Sequence, residues 1–167
     1  MPNNLYEYEE YQYLMAKACK TEDEKRALIN AYITIMQDIE NSAGCHNKYG
    51  LVDVTEAIMS AVQYKAISKL ISKPENTIIV DCGCALGLQQ VFFNNCYKYI
   101  GIDISPEDCF FKICENAEYI SGDITNILPS FEFEKGYDYV GISILCGSIW
   151  SKVGKCIKEN FNKCVII

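Results

Sequence analysis

The segment Thr77–Asp103, TIIVDCGCALGLQQVFFNNCYKYIGID, restricts the possible folds more than any other part of the chain. Ile78, Ile79 and Val80 are a β-branched run without polar alternation, the pattern of a strand covered on both faces. The run stops at Asp81, and Gly83, Ala85 and Gly87 follow at every second position. With so little side-chain bulk, the backbone of such a loop can come close to a ligand, with amide N–H groups aimed at it from the start of the next helix. A second apolar run, Tyr99 to Ile102, ends at Asp103. Ligands of open α/β sheets lie beyond the carboxyl ends of the strands, so Asp103 is placed to receive a ribose.

Strand and helix signals keep alternating downstream, which marks a parallel sheet. Ser105-Pro106 caps a helix expected to run to about Asn116, with Phe110, Ile113 and Cys114 inward. A third strand is expected over 117–121 and a fourth over 137–145, with a loop or short helical turn over 126–135 between them. A helix from about Ser148 presents Ile149, Val153, Ile157 and Phe161 on one side, and a fifth strand begins at Lys163. Ahead of the sheet, residues 1–73 read as an N-terminal helical segment, with 74–167 as the core of a single domain. Leu5 to Cys19 carries Tyr8, Tyr11, Met15 and Ala18 at helical spacing; Thr21 and Glu24 form a capping box before Leu28, Tyr32, Ile35 and Ile39. Asp53 and Glu56 cap a third helix whose row is Val54, Ile58, Val62, Ala66 and Leu70, and Pro74 closes the segment.

The 167 residues suffice for one domain with a real core and are too few for two comfortable ones. No run approaches about eighteen uninterrupted apolar residues, and Met1-Pro-Asn-Asn begins no secretory signal, so a soluble, cytoplasmic protein without membrane contact is expected. A net charge of −7 repels polyphosphate, and no basic patch offsets it, so nucleic acid is not an expected partner. The ten cysteines resemble neither a disulfide framework nor a zinc site. Cys82 and Cys84 are separated by one residue, Cys109 and Cys114 by four, and the single histidine, His46, has no metal partner in sequence. Reduced, structural thiols and no metal are expected.

The run Asp81-Cys-Gly83-Cys-Ala85-Leu-Gly87 resembles the first motif of the class I S-adenosylmethionine-dependent methyltransferases, an acidic residue followed by glycines at alternate positions. Ala85 stands where the middle glycine would be and narrows the loop slightly. The likeness covers about 77–167 and implies an α/β, Rossmann-like, open and mainly parallel sheet of about five strands in the order 3-2-1-4-5. It also implies S-adenosylmethionine as the cofactor, held by Asp81, Gly83, Ala85, Gly87, Asp103 and Asp123. In that family the acid at the end of the second strand grips both ribose hydroxyls, the place of Asp103. The third strand's acid meets the adenine amino group, the place of Asp123. Helices ahead of the sheet often cover the cofactor, a task open here to Tyr6, Tyr8, Tyr11 and Tyr13, although packing on the sheet is the plainer account of them. The family's sheet normally continues into an antiparallel hairpin. The apolar fifth strand is therefore expected to belong to a longer protein or to be shielded by a second copy or a partner.

A nicotinamide dinucleotide fold also opens with glycines after a strand and has an acid roughly 20 residues later, which Asp103 satisfies. Its fingerprint needs glycine at the position of Leu88, so an oxidoreductase is the weaker reading. Methyl transfer from a sulfonium needs mainly alignment and exclusion of water, so no catalytic residue is assigned. The substrate-side loop, 143–150, lacks the Asn/Asp-Pro-Pro-aromatic tetrapeptide of nucleic-acid amino-methylating enzymes, and Cys146 has no basic partner, which leaves a small molecule or a protein as substrate. Gln89 and Gln90 are read as exposed helix positions or as cofactor contacts. A non-catalytic binding or assembly protein with the same fold is the alternative. As a ribose-binding carboxylate, Asp103 is expected to carry most of the cofactor affinity, and its removal to leave the stability of the free fold nearly unchanged.

Overall fold

The structure, a computed structural model, describes Thr21, Asp23 and residues 62–85, 87–107, 110, 112–144 and 150–166. The expectations for Tyr6, Tyr8, Tyr11, Tyr13, His46, Cys109, Cys146 and Ile149 lie outside those residues. By its contacts the chain divides into two compact units, Met1–Leu70 and Ile71–Ile167. In the first, residues 62–68 are helical with Val62, Tyr64 and Ile67 buried, while Leu70 is 75% exposed. The expected row Val62, Ala66, Leu70 therefore does not bury its last member. The helix ends before it, and the Leu70 N–H donates to the Ile67 carbonyl in a tighter turn.

The second unit is built on a five-stranded parallel sheet in the order β3-β2-β1-β4-β5, an α/β, Rossmann-like arrangement. β1 is Thr77–Cys82, β2 Lys98–Asp103, β3 Ala117–Ser121, β4 Asp138–Ser143 and β5 Cys164–Ile166. All six residues of β1 are buried, as befits the central strand of a sheet covered on both sides. On one side Ile78, Val80, Cys82, Ile100 and Ile102 pack with Ile124, Leu128, Val153, Cys156, Ile157 and Phe161. The helix Trp150–Asn160 supplies three of these, and with Phe161 just beyond it they follow the spacing read from the sequence. Gly141 of β4 makes room there, since a Cβ on it would stand 2.6 Å from Phe161 Cδ2. The strands alternate faces, so Asp81, Tyr99, Gly101 and Asp103 turn to the other side.

Two connections differ from expectation. After Gly87 the chain makes only a six-residue 3-10 helix, Leu88–Phe93, before β2. Between β2 and β3 the described residues contain no regular helix of the kind expected from Ser105 to Asn116. The reason is visible at its end. The Ile113 and Cys114 N–H groups, which a helix would pair with its own carbonyls, both donate to the Gln90 side-chain oxygen at 2.8 Å. Ile113 is consequently 46% exposed rather than inward.

Candidate functional site

The glycine loop and the end of β2 meet. Gly83, Ala85 and Gly87 all take positive φ, at 86°, 49° and 74°, a conformation free of strain for glycine and unfavourable for alanine by about 1–2 kcal/mol. Those turns fold the loop across the carboxyl end of β1 and onto its neighbour. The Gly83 and Cys84 N–H groups donate to the Ile102 carbonyl at 2.7 and 3.2 Å, and the Ala85 N–H donates to Asp103 Oδ2 at 2.9 Å. Gly87 N–H donates to the Cys84 carbonyl at 2.9 Å. The loop amides expected to face a ligand are thus bound within the protein at residues 83, 84, 85 and 87.

Asp103, half-buried, is held from three directions. Besides Ala85, the Ser105 N–H and the Ser105 hydroxyl both donate to Oδ1, at 2.9 and 2.8 Å. Ser105 is itself anchored, because its carbonyl accepts the hydroxyls of Tyr119 and Ser121. Beside this cluster the Phe110 ring lies against Gly87, where a Cβ would run into it, and stacks on Tyr119 with centroids 4.9 Å apart. Cys84 Sγ fills the face of Gly101 in the same way, at 2.7 Å from the place of a Cβ.

The other acids sit differently. Asp81 is fully buried, and its Oδ2 accepts the Tyr99 hydroxyl and the Gln89 side-chain amide, both at 2.5 Å. The same Gln89 amide donates to the Cys84 carbonyl at 2.9 Å, so Asp81 braces the loop from within. Gln90 is fully buried too, and donates to the Gly87 carbonyl at 2.7 Å while accepting from Ile113 and Cys114. Neither glutamine is the exposed helix residue that its position suggests. Asp123 is exposed, caps the short helix Ile124–Ile127, and accepts from the Thr125 N–H and hydroxyl at 2.8 and 2.7 Å. Those hydrogen bonds, aided by the charge of Lys152, hold its carboxyl below the usual carboxylate range. The structure brings Gly83, Ala85, Gly87 and Asp103 into one cluster, places Asp81 beneath it, and sets Asp123 on a helix cap one residue past Gly122, whose N–H donates to the Asp103 carbonyl at 2.7 Å.

The two thiols beside the loop, Cys82 and Cys84, offer no nucleophile. Burial, then the charge of Asp81, raises Cys82 and Cys84 well above the ordinary thiol range, so both stay protonated. The six described cysteines are free. Among the described residues no group of His, Cys, Asp or Glu is gathered for a metal ion, and no helix is long and apolar enough to cross a membrane. A cavity of about 370 Å³, walled by Phe133, Tyr139, Phe161, Asp138 and Lys163, opens where β4 and β5 begin, at the end of the sheet away from Asp103.

Set against protein-family models, curated proteins and solved structures, the chain matches none of them.

Proposed function

We propose that the chain binds S-adenosylmethionine at the carboxyl ends of β1 and β2 and serves as a methyltransferase for a small molecule or a protein. The observation that carries this reading is the 2.9 Å bond from the Ala85 N–H to Asp103 Oδ2. It joins a loop of small residues to a strand-end carboxylate beside the central strand, where open α/β sheets take their ligands. The chemistry of the cluster suits an adenosine-bearing guest, since Asp103 retains an acceptor position for a sugar hydroxyl and Gly83 and Ala85 carry little side-chain bulk. Asp103 would hold the ribose, and Gly83, Ala85 and Gly87 would lie along the guest. Bound S-adenosylmethionine supplies an electrophilic methyl group. The protein's part is then to orient the acceptor in line with it and to keep water out. The adenine contact of Asp123 belongs to this proposal and requires its Thr125 cap to share the carboxylate. The protein works in the cytoplasm with its thiols reduced.

Isothermal titration of the full chain with S-adenosylmethionine, S-adenosylhomocysteine, NAD and NADH tests the reading. Binding of the two adenosyl sulfur compounds with micromolar affinity supports it; no heat from either, or a preference for the dinucleotides, overturns it. A second reading is a binding or assembly protein that keeps the fold without catalysis. It is favoured by one observation: the loop amides of residues 83, 84, 85 and 87 are already bonded within the chain. Cofactor binding without methyl transfer to small-molecule or protein fractions would select it.

A further inference from the structure

We propose that Ser105 governs the sugar specificity of this site, because its own hydroxyl occupies an acceptor position on Asp103 that a second ligand hydroxyl needs. The inference rests on the reading of Asp103 as a ribose-binding carboxylate. A carboxylate offers about four lone-pair positions. Three are filled here: Oδ2 by the Ala85 N–H, and Oδ1 by both the N–H and the hydroxyl of Ser105. One position on Oδ2 remains, while a vicinal diol brings two donors.

The second hydroxyl must therefore replace a donor already in place, and the three are not equally replaceable. The Ala85 amide is fixed by a loop whose neighbouring N–H groups bind the Ile102 carbonyl. The Ser105 amide is fixed by the backbone that Tyr119 and Ser121 anchor through the Ser105 carbonyl. Only the Ser105 hydroxyl turns about a single bond, so it is the group that yields. Ser105 is buried, at 7% exposed, so a displaced hydroxyl gains little from water and its release opposes binding. Ser105 Oγ is in effect a built-in sugar hydroxyl, competing at the position a guest would take.

The test uses the full-length protein, its Ser105→Ala and Ser105→Thr variants, and three probes: S-adenosylhomocysteine and its 2′-deoxy and 3′-deoxy analogues. The wild type should bind one of the two deoxy analogues as well as the parent compound, since the second hydroxyl gains only what the displaced Ser105 hydroxyl gives up. Ser105→Ala should bind the parent about fivefold more tightly, the equivalent of one net hydrogen bond, and should discriminate against both analogues. Ser105→Thr, which keeps the hydroxyl, should match the wild type. Its agreement also controls for the fold, as does a retained thermal transition in Ser105→Ala, whose backbone bonds do not involve the deleted atom. Equal or weaker binding by Ser105→Ala, with the analogue pattern unchanged, overturns this inference alone. Absence of binding to the wild type by any probe overturns the reading of Asp103 beneath it, and this inference with it.

Discussion

Replacing Asp103 with alanine separates a carboxylate reserved for a ligand from one that holds the loop. The carboxylate accepts three hydrogen bonds from its own chain, and its removal orphans two backbone N–H groups, of Ala85 and Ser105. The site is half-buried, so water compensates in part, and about 1 kcal/mol per bond is the appropriate scale. The sum, about 3 kcal/mol, is a large share of the stability of a domain this size. With a urea dependence of about 2 kcal/mol per molar, the unfolding midpoint should fall by about 1.5 M. Asp103→Asn retains an acceptor for Ser105 and turns an NH2 toward Ala85, so it should lose about one bond and fall by about 0.5 M. Urea titrations of the full chain, followed by far-UV circular dichroism without ligand, measure both. A midpoint for Asp103→Ala within about 0.2 M of the wild type would refute the reasoning. Such a result would restore the sequence-based expectation that this carboxylate contributes little to the free fold.

Other expectations follow from single contacts. Gly141→Ala puts a methyl group 2.6 Å from Phe161 Cδ2 and 3.2 Å from Ile157 Cγ2, and overpacking of this kind should remove about 1–3 kcal/mol, read as a lower melting temperature. Ala85→Gly relieves a left-handed alanine and should raise the urea midpoint, by the equivalent of about 1 kcal/mol, without altering the Ala85-to-Asp103 backbone bond. Burial pushes the Cys96 thiol from 9.0 up to about 11, and it raises Cys82 and Cys84 as well. Because these thiols ionise more readily in the unfolded chain, their contribution is intact below pH 9.0 and is lost as pH rises toward 11. Urea midpoints taken between pH 8 and 11 should decline above 9, by up to about 0.7 M per pH unit for each such thiol, the equivalent of about 1.4 kcal/mol.

The sheet could be read from the chain because β1 and β2 carry apolar runs that stop at Asp81 and Asp103, and because the Ile78-Ile79-Val80 run of β1 lacks any polar alternation. The helix after β4 was equally plain, since Val153, Ile157 and Phe161 keep a four-residue interval and are buried together. Connections were harder, because their form is decided by partners distant in sequence. Nothing local in Ser105–Asn116 reveals that Gln90 takes the amides of Ile113 and Cys114, 23 and 24 residues away, and so displaces a helix. Within the candidate site, the meeting of the glycine loop with Asp103 follows from strand adjacency. That Asp81 would be consumed by Tyr99 and Gln89 does not, since it depends on which face each side chain takes. One local signal was available: an aspartate followed two residues later by serine is the pattern of a side-chain turn, and Asp103-Ile-Ser105 forms it.

The strand order has a bearing on how the protein is made. β1 pairs with β2 in register Ile78↔Lys98, but its opposite edge waits for β4, in register Thr77↔Asp138. During synthesis at about 5–20 residues per second, the Ile78-Ile79-Val80 edge emerges several seconds before the strand that will cover it. A nascent chain therefore carries its central strand half-zipped, open to chaperones and to misassociation alike, until the codons for Asp138 to Ser143 have been read.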